Sequence, residues 1–98
     1  MSENSSRRIA LKNIQIIIET SNFKQAELAR IMKTDKVTMN RWVRGIRVIN
    51  LDIMDRFVDA FHILDKSLKK LKTSNLIDPN FKFKIRTIRK IVMLSKNS

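Results

Sequence analysis

No cysteine occurs in this 98-residue chain, and only one glycine, one proline and one histidine do. Without thiols there is neither a disulfide framework nor a thiolate zinc site. So little glycine and proline, in a chain rich in isoleucine and lysine, makes scant provision for tight turns and points to long helical segments. Long apolar runs are missing too. The opening Met1 to Arg8 is polar, and Lys12, Asn13 and Gln15 interrupt the apolar residues that follow. Neither a secretion signal nor a membrane span is therefore expected, and the expected location is the cytoplasm. A glycine-rich phosphate loop, paired metal ligands and a nucleophile with its base are not found either, so no catalysis and no cofactor are expected. His62 has no ligand or nucleophile pattern around it and reads as structural. Negative charge is the last scarcity: nine acidic residues face 21 basic ones, a formal net charge of +12 at pH 7. Such a field favours a polyanion, either nucleic acid or an anionic membrane surface.

A chain of this length buries one modest core. Residues 1–6 form a polar start with Ser5 or Ser6 available as a cap. From Arg7 to about Thr20, the residues Ala10, Leu11, Ile14, Ile17 and Ile18 recur at helical spacing and predict the first helix. Further on, Asn50 is placed to cap a helix running to about Phe61, with Leu51, Met54, Phe57, Val58 and Phe61 on its apolar face. Asp52, Asp55 and Asp59 fall largely off that face and read as a solvated surface rather than a metal site. Asp65 is a further cap, predicting a helix over Lys66 to Lys72 with Leu68 and Leu71 inward and a loop over Thr73 to Ile77. Asp78-Pro79 then supplies an N-cap followed by proline at the first helical position. Beyond it the alternation Phe81-Lys82-Phe83-Lys84-Ile85-Arg86 suits a half-buried strand, whereas Phe81, Ile85, Ile88 and Val92 recur as in a helix. The helix is favoured, because Asp-Pro opens it and the apolar spacing continues past Ile85.

The stretch Gln25 to Gly45 organises the rest. Ala26, Leu28, Ala29 and Met32 recur at helical spacing, and Asn22 with Gln25 is an N-x-x-Q arrangement suited to capping that helix, which should start near Phe23 or Lys24. After Lys33-Thr34, Asp35 is suited to cap a second helix carrying Val37, Met39, Trp42 and Val43, which Gly45 ends. Two helices so closely joined are expected to cross steeply and to need a third to bury their inner face. Met32, Met39 and Trp42 read as core, Trp42 despite the capacity of aromatic rings to stack on unpaired bases.

This pattern resembles the phage repressor and Cro-type helix-turn-helix family. The residues that carry the resemblance are Gln25, Leu28-Ala29, Met32, Met39, Trp42 and Gly45, and it covers roughly residues 7 to 65. It departs at the first turn position, where the family has glycine and this chain has Lys33; a left-handed conformation costs lysine roughly 1 kcal/mol more than glycine. The resemblance implies an all-α fold, a five-helix repressor-like helix-turn-helix domain with an added C-terminal segment. The DNA-binding domain is expected over residues 1–65 and a helical extension over 66–98, whose apolar stripe of Phe81, Ile85, Ile88 and Val92 exceeds what such a domain requires and is expected to serve dimerisation. It implies that the second helix enters the major groove of DNA. The family's base-contacting positions fall on Lys36, Val37 and Arg41, with Thr38 and Asn40 as flanking candidates. Gln25 corresponds to a residue that holds a backbone phosphate, and Lys24, Arg44 and Arg47 flank the same surface as further phosphate partners.

The expected function is that of a sequence-specific regulator on double-stranded DNA, a homodimeric repressor on an inverted-repeat operator, associated with the nucleoid. An alternative is an adaptor, antitoxin-like or inhibitor protein that grips a protein partner through its C-terminal segment. Peripheral membrane binding by that same basic segment is the weakest reading, since its apolar residues are better explained by folding.

Overall fold

The computed structural model describes residues 2–81, and the side chains of residues 6–81. It is all-α: α1 spans Ser2–Ser21, α2 Gln25–Ile31, α3 Lys36–Val43, α4 Leu51–Leu64 and α5 Thr73–Leu76, with a 3₁₀ turn over Lys66–Leu68. No strand occurs among the described residues. Ile85, Ile88 and Val92, and with them most of the strand-or-helix question over 81–86, lie outside the described residues.

The first three helices end in the same way, and the way they end explains how a chain with one glycine turns so sharply. At each C-terminus one residue takes a positive φ: Asn22 (56°), Lys33 (55°) and Gly45 (76°). Paired backbone bonds close each end. Phe23 N–H donates to Ile18 O at 3.0 Å and Asn22 N–H to Glu19 O at 3.2 Å; Thr34 donates to Ala29 at 2.9 Å and Lys33 to Arg30 at 3.2 Å; Ile46 donates to Arg41 at 2.9 Å and Gly45 to Trp42 at 3.1 Å. This is the Schellman arrangement, which satisfies carbonyls that a helix end otherwise leaves bare. Lys33 thus occupies the left-handed position that favours glycine. Gly45 is there for a second reason as well: a β-carbon would sit 2.7 Å from Leu11 Cδ2.

Asn22 therefore terminates α1 and does not cap α2, contrary to the N-x-x-Q expectation. The N-cap of α2 is Lys24, whose side chain makes no capping bond. The caps expected of Asp35, Asn50 and Asp65 are present: Thr38 N–H donates to Asp35 Oδ1 at 2.6 Å, Ile53 N–H to Asn50 Oδ1 at 2.8 Å and Ser67 N–H to Asp65 Oδ1 at 2.9 Å.

The core runs through every element. Ala10, Ile14 and Ile17 from α1, Leu28 and Ala29 from α2, Met39 and Trp42 from α3, and Met54, Phe57, Val58, Ala60 and Phe61 from α4 are buried together. Phe57 joins the two halves, meeting Trp42 edge-on at 6.0 Å between ring centres and Phe61 at 5.8 Å, while Phe23 stacks on Phe61 at 5.5 Å. Such aromatic pairs contribute roughly 0.5–1.5 kcal/mol beyond the area they bury. Leu51, expected on the apolar face of α4, is instead 64% exposed; it stands at the first position of that helix, before the core begins.

Residues 66–81 divide differently from the pattern in sequence. The expected helix over 66–72 is only one 3₁₀ turn, and the expected loop over 73–77 contains α5. Leu68, Leu71 and Leu76 are all buried; their spacing would also suit one helical stripe, but they are carried by the 3₁₀ turn, the residues after it and α5. Polar side chains hold the break. His62 Nε2 lies 2.8 Å from Leu71 O, as a donor since a carbonyl only accepts, and Thr73 Oγ1 donates to Asp55. Phe81, expected at a two-fold contact, is fully buried in the chain's own core.

Candidate nucleic-acid interface

At about 100° per residue, Lys36, Val37, Asn40, Arg41 and Arg44 occupy an arc of about 140° on α3, whereas Met39 and Trp42 point away from it. The structure agrees with that geometry. Met39 and Trp42 are buried, Lys36, Arg41 and Arg44 are exposed, and Val37 keeps 60% of its surface accessible. Thr38 and Asn40 are half-buried, Thr38 beyond the edge of the arc and Asn40 within it.

This face is braced from behind at three points. Asn40 Nδ2 donates to Gln25 Oε1 at 3.3 Å, which couples the start of α2 to the middle of α3 and leaves the Gln25 amide nitrogen as a donor. Gln15 Nε2 donates to Val43 O at 2.7 Å, so α1 holds one of the last carbonyls of α3. Arg56 on α4 donates to Met32 O at the end of α2, and its guanidinium lies 6.0 Å from the centre of the Trp42 ring. None of these braces is legible as a motif; Gln15 and Arg56 are polar residues whose partners stand 28 and 24 positions away.

Of the residues expected on phosphate, Lys24, Arg44 and Arg47 are exposed and Gln25 is half-buried. Lys33, in the turn between α2 and α3, is exposed as well and adds a cation that the sequence pattern did not single out. No cluster of three or more histidine or acidic residues able to hold a metal ion occurs among the described residues, and none of their helices is long and apolar enough to cross a membrane.

Asp35 is the one carboxylate at the head of α3. Its pKa is lowered from the ordinary aspartate value, chiefly by the Thr38 backbone hydrogen bond, then by the Thr38 side chain, with Arg41 and Arg47 adding electrostatic support. A depressed carboxylate pKa contributes stability that is present above the unfolded-state pKa and is lost as pH falls through the folded-state value. Melting curves of the native chain and Asp35→Asn should therefore diverge as pH drops below the usual carboxylate range, the native chain losing more, because asparagine still caps without titrating. Parallel losses in the two proteins would show that this cap carries no pH dependence.

The chain matches no protein-family model, no curated protein and no solved structure.

Proposed function

We propose that the protein is a sequence-specific double-stranded DNA-binding regulator in which α3 is the recognition helix. The observation that carries this reading is the outward face of α3, where Lys36, Val37, Arg41 and Arg44 stand exposed while the opposite face is held in the core. The side chains suit base edges: Arg41 donates two hydrogen bonds to guanine O6 and N7, Lys36 reaches the same acceptors, and Val37 packs against a thymine methyl. Around them Lys24, Gln25, Arg44 and Arg47 bind backbone phosphate and set the register.

The regulator acts as a homodimer on an inverted repeat, with half-sites about 34 Å apart, and represses by obstructing polymerase at the nucleoid. Ile85, Ile88 and Val92 supply the two-fold contact; Phe81, being core, does not. Selection of duplexes from a randomised pool tests this. Enriched sequences should share an inverted repeat, and affinity should fall steeply with salt, by a slope of about 0.9 per neutralised phosphate. Arg44→Ala or Arg47→Ala should lower that slope by about one without altering the preferred sequence. A pool that returns no shared sequence, with affinity indifferent to salt, would refute the proposal, and a stoichiometric protein partner captured without any duplex would replace it with the adaptor reading.

A further inference from the structure

A cleft of about 360 Å³ lies where α1 meets the end of α3, lined by Arg7, Arg8, Leu11, Gly45, Arg47, Val48 and Ile49. Three arginines line it and no carboxylate does, although Arg47 also lies within electrostatic reach of Asp35. Like charges gathered in one cleft repel one another, and an anion relieves that repulsion. The rest of the wall is apolar, and Val48 keeps 60% of its surface accessible. Gly45 contributes to the shape: a β-carbon there would press on Leu11, a neighbour on the same wall.

We propose that this cleft is a binding site for a small amphipathic anion, with a carboxylate, phosphate or sulfonate head on a compact apolar body. Guanidinium forks match planar and tetrahedral oxyanions with paired hydrogen bonds, while Leu11, Val48 and Ile49 take the apolar body. The volume falls at the lower end of the range of about 300–1,000 Å³ that small-molecule sites occupy. Backbone phosphate of a duplex answers only the cationic half of this lining, because it brings no apolar body. Residues 82–98 hold six basic residues and no acidic one, so their charge does not complement this lining.

The site has a regulatory consequence that rests on the DNA-binding reading, whereas the binding itself does not. Arg47 belongs both to the cleft and to the proposed phosphate contacts, so an anion held by Arg47 competes with the duplex for the same guanidinium.

The test uses the 98-residue chain and 1-anilinonaphthalene-8-sulfonate as probe, without DNA. Gly45 is the only glycine in the sequence, so its amide signal is readily assigned in a nitrogen–proton correlation spectrum. Expected is a saturable shift of Gly45 and of the Val48 and Ile49 amides, with inorganic phosphate at the same concentration moving them far less. The double variant Arg7→Gln, Arg8→Gln should weaken the probe about tenfold, and Val48→Ser should weaken it too, with unchanged melting curves in both. Shifts confined to other parts of the chain, or equal shifts from inorganic phosphate, would overturn the proposal. So would an Arg7→Gln, Arg8→Gln variant that keeps the probe but loses duplex affinity, since the cleft would then belong to the DNA surface. A second arm measures duplex binding with and without the probe. Probe binding at Gly45 with no effect on a bound duplex keeps the site and removes its regulatory role; the absence of any duplex binding refutes the DNA reading alone.

Discussion

Arg41→Ala is expected to erase the preference for one base pair in each half-site while leaving general affinity for duplex DNA largely in place. A bidentate guanidinium contact to guanine is worth roughly 1–3 kcal/mol of discrimination, which corresponds to about five- to 150-fold in relative affinity. Arg41 is exposed on the outward face of α3 and outside the core; within the chain its charge supports Asp35. Its backbone carbonyl, which accepts from Ile46 and Arg47 at 2.9 and 3.1 Å, remains in the alanine variant, so the end of α3 is preserved. Arg41→Lys separates charge from geometry. Lysine keeps the positive charge, and with it the salt dependence, but lacks the planar fork, so sequence preference should fall nearly as far as with alanine. If competition binding against single-base operator variants gave the same ranking for all three proteins, Arg41 would not read bases. A uniform loss across all sequences would reassign it to phosphate.

The largest effect on stability is expected at Asn13, a residue that interrupts an apolar run and has no obvious purpose in the sequence. It is only 4% exposed, and its Nδ2 donates to Leu76 O at 2.7 Å and to Asp78 O at 3.0 Å. One amide thereby fastens the segment around α5 to the first helix. Alanine removes both donors, leaves a buried carbonyl without its Asn13 partner and opens a small void. The combined cost is about 2–4 kcal/mol, a fall in melting temperature of about 10–25 °C for a domain of this size. Asn13→Asp is the sharper test because its shape is almost the same. An ionised carboxylate faces the two carbonyls with like partial charge and cannot donate, so at neutral pH this variant should be less stable than alanine. Its folded-state pKa is raised above the unfolded value, so its stability falls as pH rises from the unfolded pKa through the folded one and recovers in acid, where the protonated carboxyl donates one bond. Melting curves over that pH range, compared with Asn13→Ala, check the sign. Equal melting temperatures for Asn13→Asp and the native chain at neutral pH would show that neither bond matters.

The elements that were legible share a short reach. Asp35, Asn50 and Asp65 cap as their sequences imply because a cap is decided within three residues. Likewise Ile14, Ile17, Met39, Trp42 and Phe57 are buried where the helical period places them. Where two short-range rules compete, the sequence misleads. Asn22 suits either a cap for α2 or a left-handed end for α1, and only the packing of Phe23 on Phe61 shows that the chain turns there. The interval 66–77 misleads in the same way. Leu68, Leu71 and Leu76 fit one helix by spacing, yet the 3₁₀ turn and α5 pack as separate pieces, both against α4 and the second also against α1, a break that no count of neighbours along the chain contains.

The amino-acid order alone was sufficient for the all-helical class and for the division of α2 from α3 at Asp35, because 3.6-residue periodicity and capping act between neighbours; Lys36, Val37 and Arg41 were singled out by the helix-turn-helix resemblance, and the structure leaves all three exposed. Tertiary structure alone decided that Phe81 is core and that Asn13 ties α1 to the 76–78 turn. It also decided that Arg7 and Arg8 meet Arg47 around one cleft. Those outcomes join residues dozens of positions apart, and such pairings are chosen by how whole helices share a single interior, a global competition to which local pattern contributes but which it does not resolve.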